Sequence, residues 1–100
     1  MGKWADYLIS AVKYDTKNRI IQVRQHQDFG EKIGEGEIID RDTLTSNLKH
    51  GKTYMTVFSS NNNWKPGDYV RIVKMPGSYS IRTDSNKVEH DNLKFVLELE

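Results

Sequence analysis

The residues of this 100-residue chain that are best suited to chemistry are aromatic, basic and amide side chains in its second half. Aromatic rings such as those of Trp64 and Tyr79 can stack on a nucleobase, and arginine side chains such as that of Arg82 bind phosphate oxygens. The candidate ligand-binding residues are Trp64, Arg71, Tyr79, Arg82, Thr83, Asp84, Asn86 and Asn92. They predict a non-enzymatic module that would sequester an anionic small molecule, such as a nucleotide signal, in a polar and aromatic pocket.

The same residues also have a purely structural interpretation. Large aromatic side chains routinely fill small cores, so Trp64 and Tyr79 are consistent with packing at one end of the fold. The polar run between Arg82 and Asn92 fits turn chemistry, in which Asp and Asn side chains bind the nearby backbone. The sequence leaves both interpretations open.

Patterns typical of catalytic and metal sites do not occur in the sequence. His26, His50 and His90 lie far apart, without the spacing of metal ligands, and the chain has no cysteine. No G-x-S-x-G nucleophile elbow is present either. We therefore expect no enzymatic activity, no cofactor and no metal site.

An acidic and glycine-rich stretch lies between Asp28 and Asp42. Its glycines resemble a phosphate-binding loop only superficially, because Glu31 and Glu35 would repel phosphate and no GKS or GKT follows. The stretch predicts an exposed loop that can close over a ligand. Alternatively, this acidic loop contacts a basic protein partner, and the protein is an interaction or inhibitor module.

The composition limits these hypotheses. One hundred residues suit a single compact domain, which we predict over residues 1–100. The net charge of +1 gives little long-range attraction to nucleic acid, so single-stranded nucleic-acid binding is a disfavoured third alternative. The lack of cysteine favours the cytoplasm, and no apolar stretch is long enough to span a membrane.

Short apolar runs and turn residues predict the elements that position these side chains. Strands are expected at residues 7–14, 19–26, 53–59 and 93–99, and a hairpin between Trp64 and Asp84, with loops at residues 27–37 and 84–92. Two turns are predicted in and beside the hairpin, at Lys65-Pro66-Gly67 and Met75-Pro76-Gly77-Ser78. Alternation in the second strand predicts that Ile21 and Val23 face inward.

Residues 40–51 predict the single helix, because Asp40 or Asp42 can cap its first turn and Gly51 suits the position after its last. The predicted fold is α+β: a small curled antiparallel β-sheet or partly open barrel of five to six strands with one short α-helix. Exposed edge strands and a small core add the expectation of a homo-oligomer.

Several short motifs resemble the DUF3892 family of small bacterial and phage proteins. They are Trp64 with Gly67, Arg82-Thr83-Asp84, Asn86 and Asp91-Asn92-Leu93. The resemblance covers nearly the whole chain and includes a first strand that ends near Tyr14 and a helix that closes with Gly51. It implies a fold and no chemistry, since the family is one of unknown function.

Overall fold

The computed structural model describes residues 3–17, 19–60, 63–83 and 97–98. Within these ranges the elements are β1 (Tyr7–Tyr14), β2 (Ile20–Gln27), β3 (Glu37–Asp40), α1 (Arg41–Lys49), β4 (Tyr54–Ser60), β5 (Asn63–Met75), β6 (Ser78–Thr83) and β7 (Leu97–Glu98). The strands form one sheet in the order β3-β2-β1-β4-β5-β6, and β7 pairs with β1 off this path. The prediction of a small, unclosed α+β fold with one short helix is confirmed. Of the last predicted strand, residues 93–96 and 99 lie outside the described residues.

The sheet is mixed and not purely antiparallel as predicted, because β1 runs parallel to β4 and to β7. Tyr7 lies opposite Tyr54, and the residues before them are joined by reciprocal hydrogen bonds: Asp6 N–H donates to Thr53 Oγ1 at 2.9 Å, and Thr53 N–H donates to Asp6 Oδ2 at 2.9 Å. The hydrogen bond from the Thr53 backbone keeps the pKa of the Asp6 carboxyl below its usual range. Parallel neighbours require a long crossover, and here the crossover contains β2, β3 and α1.

Two bulges change which side chains of the β1–β2 pair face the core. One leaves Ser10 without an opposite residue on β2, and the other leaves Ile21 without one on β1. Because an extra residue interrupts the alternation of a strand, Ile20 and Val23 are both fully buried while Ile21 is only half-buried. The predicted inward position of Ile21 is therefore wrong, and Ile20 takes it.

Apolar side chains pack into two clusters, as expected for a sheet that is covered on both faces. The larger cluster includes Leu44 of α1, and its members are Ile9, Val12, Ile20, Val23, Leu44, Tyr54, Val70 and Ile81. The smaller cluster consists of Ala5, Leu8, Met55 and Val57, with Trp4 and Ile33 packed against it. Since neighbouring residues of a strand point to opposite faces, Leu8 and Ile9 assign the two clusters to opposite sides of β1.

The turn predicted at Lys65-Pro66-Gly67 is wrong, because these residues lie inside β5. A bulge follows Pro66: Val57 and Met55 of β4 pair with Pro66 and Tyr69 of β5, so Gly67 and Asp68 both lie opposite Thr56. Proline lacks the N–H that a regular ladder uses, so a bulge is one of the few places in a sheet that accept it. By contrast, the turn at Met75-Pro76-Gly77-Ser78 is confirmed, and Gly77 has a φ of +78°.

β3 is a further correction, because we placed its first residue, Glu37, in a loop. Residues 37–40 form a short strand that pairs with β2 at one end of the sheet. Four residues are too few for a periodic pattern to be recognised in the sequence. The backbone of β2 determines this strand, since it provides the ladder hydrogen bonds.

Helix α1 begins and ends as predicted. Asp40 Oδ1 accepts from Thr43 N–H at 2.8 Å, and the hydrogen bonds from Thr43 lower the pKa of Asp40. Gly51 follows the helix with a φ of +87°, a conformation that glycine adopts without a steric penalty. No helix in the described parts of the chain has the length and hydropathy needed to cross a membrane.

Arg41, the first residue of α1, holds two distant parts of the sheet together. Its guanidinium donates to the carbonyl of Ile20 in β2 at 2.8 Å and to the carbonyl of Tyr79 in β6 at 2.9 Å. β2 and β6 are separated by three strands in the order of the sheet. The sheet must therefore curl around α1 to bring both carbonyls within reach of one side chain.

A chain of buried and partly buried hydrogen bonds also crosses the larger cluster. Tyr54 is fully buried; its hydroxyl donates to Gln25 Oε1 at 2.6 Å and accepts from Asn47 Nδ2 at 2.9 Å. Gln25 in turn donates to Glu37 Oε1 at 2.6 Å. Because every member has a partner, the chain connects α1, β4, β2 and β3 without leaving a buried polar atom unsatisfied.

We predict that Gly67→Ala destabilises the protein. A Cβ at this position would overlap the hydroxyl of Thr56 and lie 3.0 Å from its carbonyl oxygen, so β5 would have to move away from β4. The expected loss is about 1–3 kcal/mol, measured by urea denaturation. Gly77→Asn is the control, because no atom lies within 4 Å of a Cβ there and Asn tolerates a positive φ. Equal stabilities of the two variants would contradict the close approach.

We also predict a specific loss of stability at high pH. Burial raises the pKa of Tyr54 from 10.0 to about 12, so the neutral phenol stabilises the fold fully below pH 10. This contribution is lost as the pH rises from about 10 to about 12. Free energies of unfolding measured across that range should fall more steeply for the unmodified protein than for Tyr54→Phe. Parallel curves would show that the phenol does not titrate in the folded state as described.

Candidate functional site

Both tryptophans of the chain line one cleft, which we call the tryptophan cleft. Trp4 comes from the segment before β1, Trp64 from the start of β5, and Asp28 and Ile33 from the connection between β2 and β3. The cleft has a volume of about 290 Å³. The glycine-rich loop that was predicted to close over a ligand forms one of its walls.

The buried carboxylate of Asp28 fixes two sides of this cleft. Asp28 Oδ2 accepts from the N–H groups of Trp4 at 2.7 Å and Ala5 at 3.3 Å, and Oδ1 accepts from Gly30 N–H at 2.8 Å. Only 5% of Asp28 is exposed, so these three hydrogen bonds replace its water. One side chain thus holds both the segment that carries Trp4 and the glycine-rich loop.

The ring of His26 contacts the ring of Trp64, and their centroids are 5.7 Å apart. His26 Nδ1 must donate to the carbonyl of Gly34, 2.9 Å away, because a carbonyl only accepts. In the neutral ring, Nε2 then accepts from the hydroxyl of Ser10 at 2.7 Å. Hydrogen-bonded serine and histidine occur in catalytic sites, but Ser10 is 4% exposed. The pair therefore connects the glycine-rich loop to the centre of the sheet.

A second cleft, which we call the basic cleft, lies between the end of α1 and the middle of β5. It has a volume of about 250 Å³ and is lined by residues 51–54 and 69–72 together with Leu48. Lys52 and Arg71 are its charged lining residues, and both are basic. The guanidinium carbon of Arg71 lies 5.6 Å from the centroid of the Tyr69 ring, within the range of a cation–π contact.

The structure divides the predicted ligand-binding residues between these regions. Trp64 lines the tryptophan cleft and Arg71 the basic cleft. Arg82 lies directly opposite Arg71 in the β5–β6 ladder, and Thr83 is 1% exposed. Tyr79 lies in neither cleft; Lys49 Nζ is 4.0 Å from the centroid of its ring. Asp84, Asn86 and Asn92 lie outside the described residues.

Three acids of the stretch between Asp28 and Asp42 have structural contacts. Asp28 holds the cleft, Asp40 caps α1, and Glu37 accepts from Gln25. Glu35 and Asp42 are exposed. Across the described ranges, no group of three or more His, Cys, Asp or Glu residues could hold a metal ion.

Trp4, Asp28 and Lys52 were not among the predicted site residues. Trp4 stands before the first periodic segment, and no local pattern indicates that it meets the β2–β3 loop. Asp28 was identified only as part of an acidic stretch. Their role depends on contacts between residues far apart in the sequence, which a local pattern does not reveal.

Comparison with protein families gives one match. A family model described as a protein of unknown function, DUF3892, matches residues 8–95. The comparison with curated proteins and the comparison with solved structures each found no match.

We predict that Asp28→Ala destabilises the protein by about 2–3 kcal/mol, because the N–H groups of Trp4, Ala5 and Gly30 lose a charged acceptor. Urea denaturation measures the loss. Glu31→Ala is the control, because Glu31 lines the same cleft but is exposed. The free energy of unfolding of this variant should differ from that of the unmodified protein by less than about 0.5 kcal/mol. Two equally stable variants would refute the structural role of Asp28.

Proposed function

The chain belongs to the DUF3892 family, whose function is unknown, and from the geometry of its own clefts we propose that it is a non-enzymatic binding module for a small molecule with a planar ring. The ring would occupy the tryptophan cleft. The observation that carries this proposal is that the two tryptophans of the chain, which are far apart in the sequence, line a single cleft.

The exposure of Trp64 supports this proposal. The side chain is 40% exposed, and Ser59, its partner on β4, is exposed as well. A planar ligand that covers this surface removes apolar area from water, and stacking of a base on an aromatic ring contributes about 1–3 kcal/mol. The cleft volume of about 290 Å³ suits a small ring system such as a nucleobase.

The polar lining of the cleft supports a ring that carries N–H donors. An ionised carboxylate has about four acceptor positions, and Asp28 uses three of them for backbone N–H groups. Asn63 and Lys32 line the same cleft and add an amide and a cation. These groups suit a nucleotide, the class that the sequence led us to expect.

The burial of Ser10 supports a binding role over catalysis, because its hydroxyl contacts His26 where a substrate would not reach it. The exposed Ser46 hydroxyl is 3.5 Å from His50 Nδ1, and the same nitrogen is 2.7 Å from the Ser46 carbonyl oxygen. We place the module in the cytoplasm, since small secreted domains usually carry disulfides and this chain has no cysteine.

A protein-interaction function through the acidic loop is the competing proposal. β3 lies at one end of the sheet, and its Ile38 is 50% exposed. The first and last residues of β3, Glu37 and Asp40, are acidic. A sheet edge of this kind accepts a further strand, and a basic partner would complement its charge. Antiparallel pairing with a second copy would instead bring Glu37 opposite Asp40 of that copy, a repulsive contact between like charges.

The competing proposal predicts that a variant with Glu35→Lys and Asp42→Lys loses its protein partner in a pull-down, while Trp64→Ala retains it. The reason is that both acids are exposed and lie on either side of β3. Retention of the partner by the charge-reversed variant would contradict this function.

The ring-binding proposal predicts thermal stabilisation by nucleotides. A ligand at one hundred times its Kd raises the free energy of unfolding by about 2.7 kcal/mol, which a thermal-shift assay detects in a domain of this size. Trp64→Ala should abolish the shift.

Phe58→Ala is the matched control, because Phe58 is 39% exposed and does not line the cleft. The proposal fails if no nucleotide shifts the melting temperature, or if the two variants lose the shift equally.

A further inference from the structure

The two clefts differ in charge. The tryptophan cleft carries Asp28 and Glu31 against one base, Lys32. The basic cleft carries Lys52 and Arg71, and no acidic side chain is among its lining residues. An anionic group is therefore stabilised in the basic cleft and repelled by most of the charge in the tryptophan cleft.

Tyr69 connects the two clefts. Its side chain lines the basic cleft, and its hydroxyl donates to the carbonyl of Trp4 at 3.4 Å. Trp4 lines the tryptophan cleft. The walls of the two clefts are thus joined through one tyrosine side chain.

Strand β5 contributes to both clefts. Trp64 lies before the bulge at Gly67-Asp68, and Tyr69 and Arg71 lie after it. A bulge increases the local twist of a strand, so it changes the direction in which the following side chains point. One continuous strand thereby presents an aromatic residue to one cleft and a basic residue to the next.

We propose that the basic cleft is the anion subsite for the ligand whose ring occupies the tryptophan cleft. The inference rests on the proposed function and deepens it: the ligand class becomes a planar ring that is linked to a phosphate, as in a nucleoside phosphate. The ring stacks at Trp64, and the phosphate reaches Arg71 and Lys52.

The chemistry of the lining residues fits this assignment. Arginine binds phosphate oxygens through two parallel N–H groups, and lysine adds a mobile point charge. The contact of Arg71 with the Tyr69 ring restrains its guanidinium before a ligand arrives. Asp6 is an acid near this lining: its Oδ2 accepts from the N–H and hydroxyl of Thr53, and its charge also interacts with that of Lys52.

The test compares nucleosides with their phosphates. Calorimetric titration at low salt would use adenosine, guanosine, cytidine and uridine, each with its 5′-mono- and diphosphate. For the ring that binds, the phosphate should tighten binding by about tenfold, and rising salt should remove this gain. Arg71→Ala and Lys52→Ala should each weaken nucleotide binding by about fivefold and leave nucleoside binding unchanged.

Two further variants separate charge from folding. Lys74→Ala removes an exposed base of the same strand that lines neither cleft, so nucleotide affinity should stay the same. Arg71→Lys keeps the charge and should restore part of the affinity that Arg71→Ala loses.

The outcomes distinguish the inference from the proposed function. If nucleosides and nucleotides bind equally well and Arg71→Ala changes neither, the anion subsite is wrong while ring binding stands. If nucleotides bind through Arg71 but Trp64→Ala has no effect, the two clefts do not share a ligand and the inference is overturned. If neither nucleosides nor nucleotides bind, both proposals fail.

Discussion

The parallel pairing of β1 with β4 is the constraint on which the arrangement of the clefts depends. Because the two strands run in the same direction, the segments that precede them start at the same edge of the sheet. The reciprocal hydrogen bonds between Asp6 and Thr53 fix that common start. They bring Trp4 next to Tyr69 of β5, and the segment that follows α1 next to the N-terminal segment. An antiparallel arrangement of the same strands would separate these groups by the length of a strand.

Buried polar groups determine how the loops lie on this sheet. Asp28 binds the N-terminal segment and the glycine-rich loop, while His26 binds the same loop through the carbonyl of Gly34. Each of these side chains is almost completely buried, so a loop that moved away would leave a charge or a ring nitrogen without a partner. The loop is rich in glycine and polar residues, yet its position is specified by contacts with residues of the sheet.

Local patterns in the sequence predicted the helix, the first two strands and the Pro76-Gly77 turn, because capping, alternation and turn geometry are properties of neighbouring residues. They failed where distant residues decide the outcome. Pro66-Gly67 has the composition of a turn, but the β4 backbone continues beside it, and the chain forms a bulge instead. Trp64 was recognised as a candidate on its own chemistry. Its companion Trp4 could not be recognised, since only the folded sheet brings the two tryptophans to one cleft.

The two hydrogen bonds of Arg41 have a consequence for the behaviour of this protein at high concentration. Tyr79 lies in β6, the last strand of the sheet path, where unpaired backbone groups are a template for the strands of another molecule. With its carbonyl bound to Arg41, this strand offers one acceptor fewer to a neighbouring chain. Docking of the helix thus shields one backbone acceptor of β6 from a neighbouring chain, in addition to covering the core.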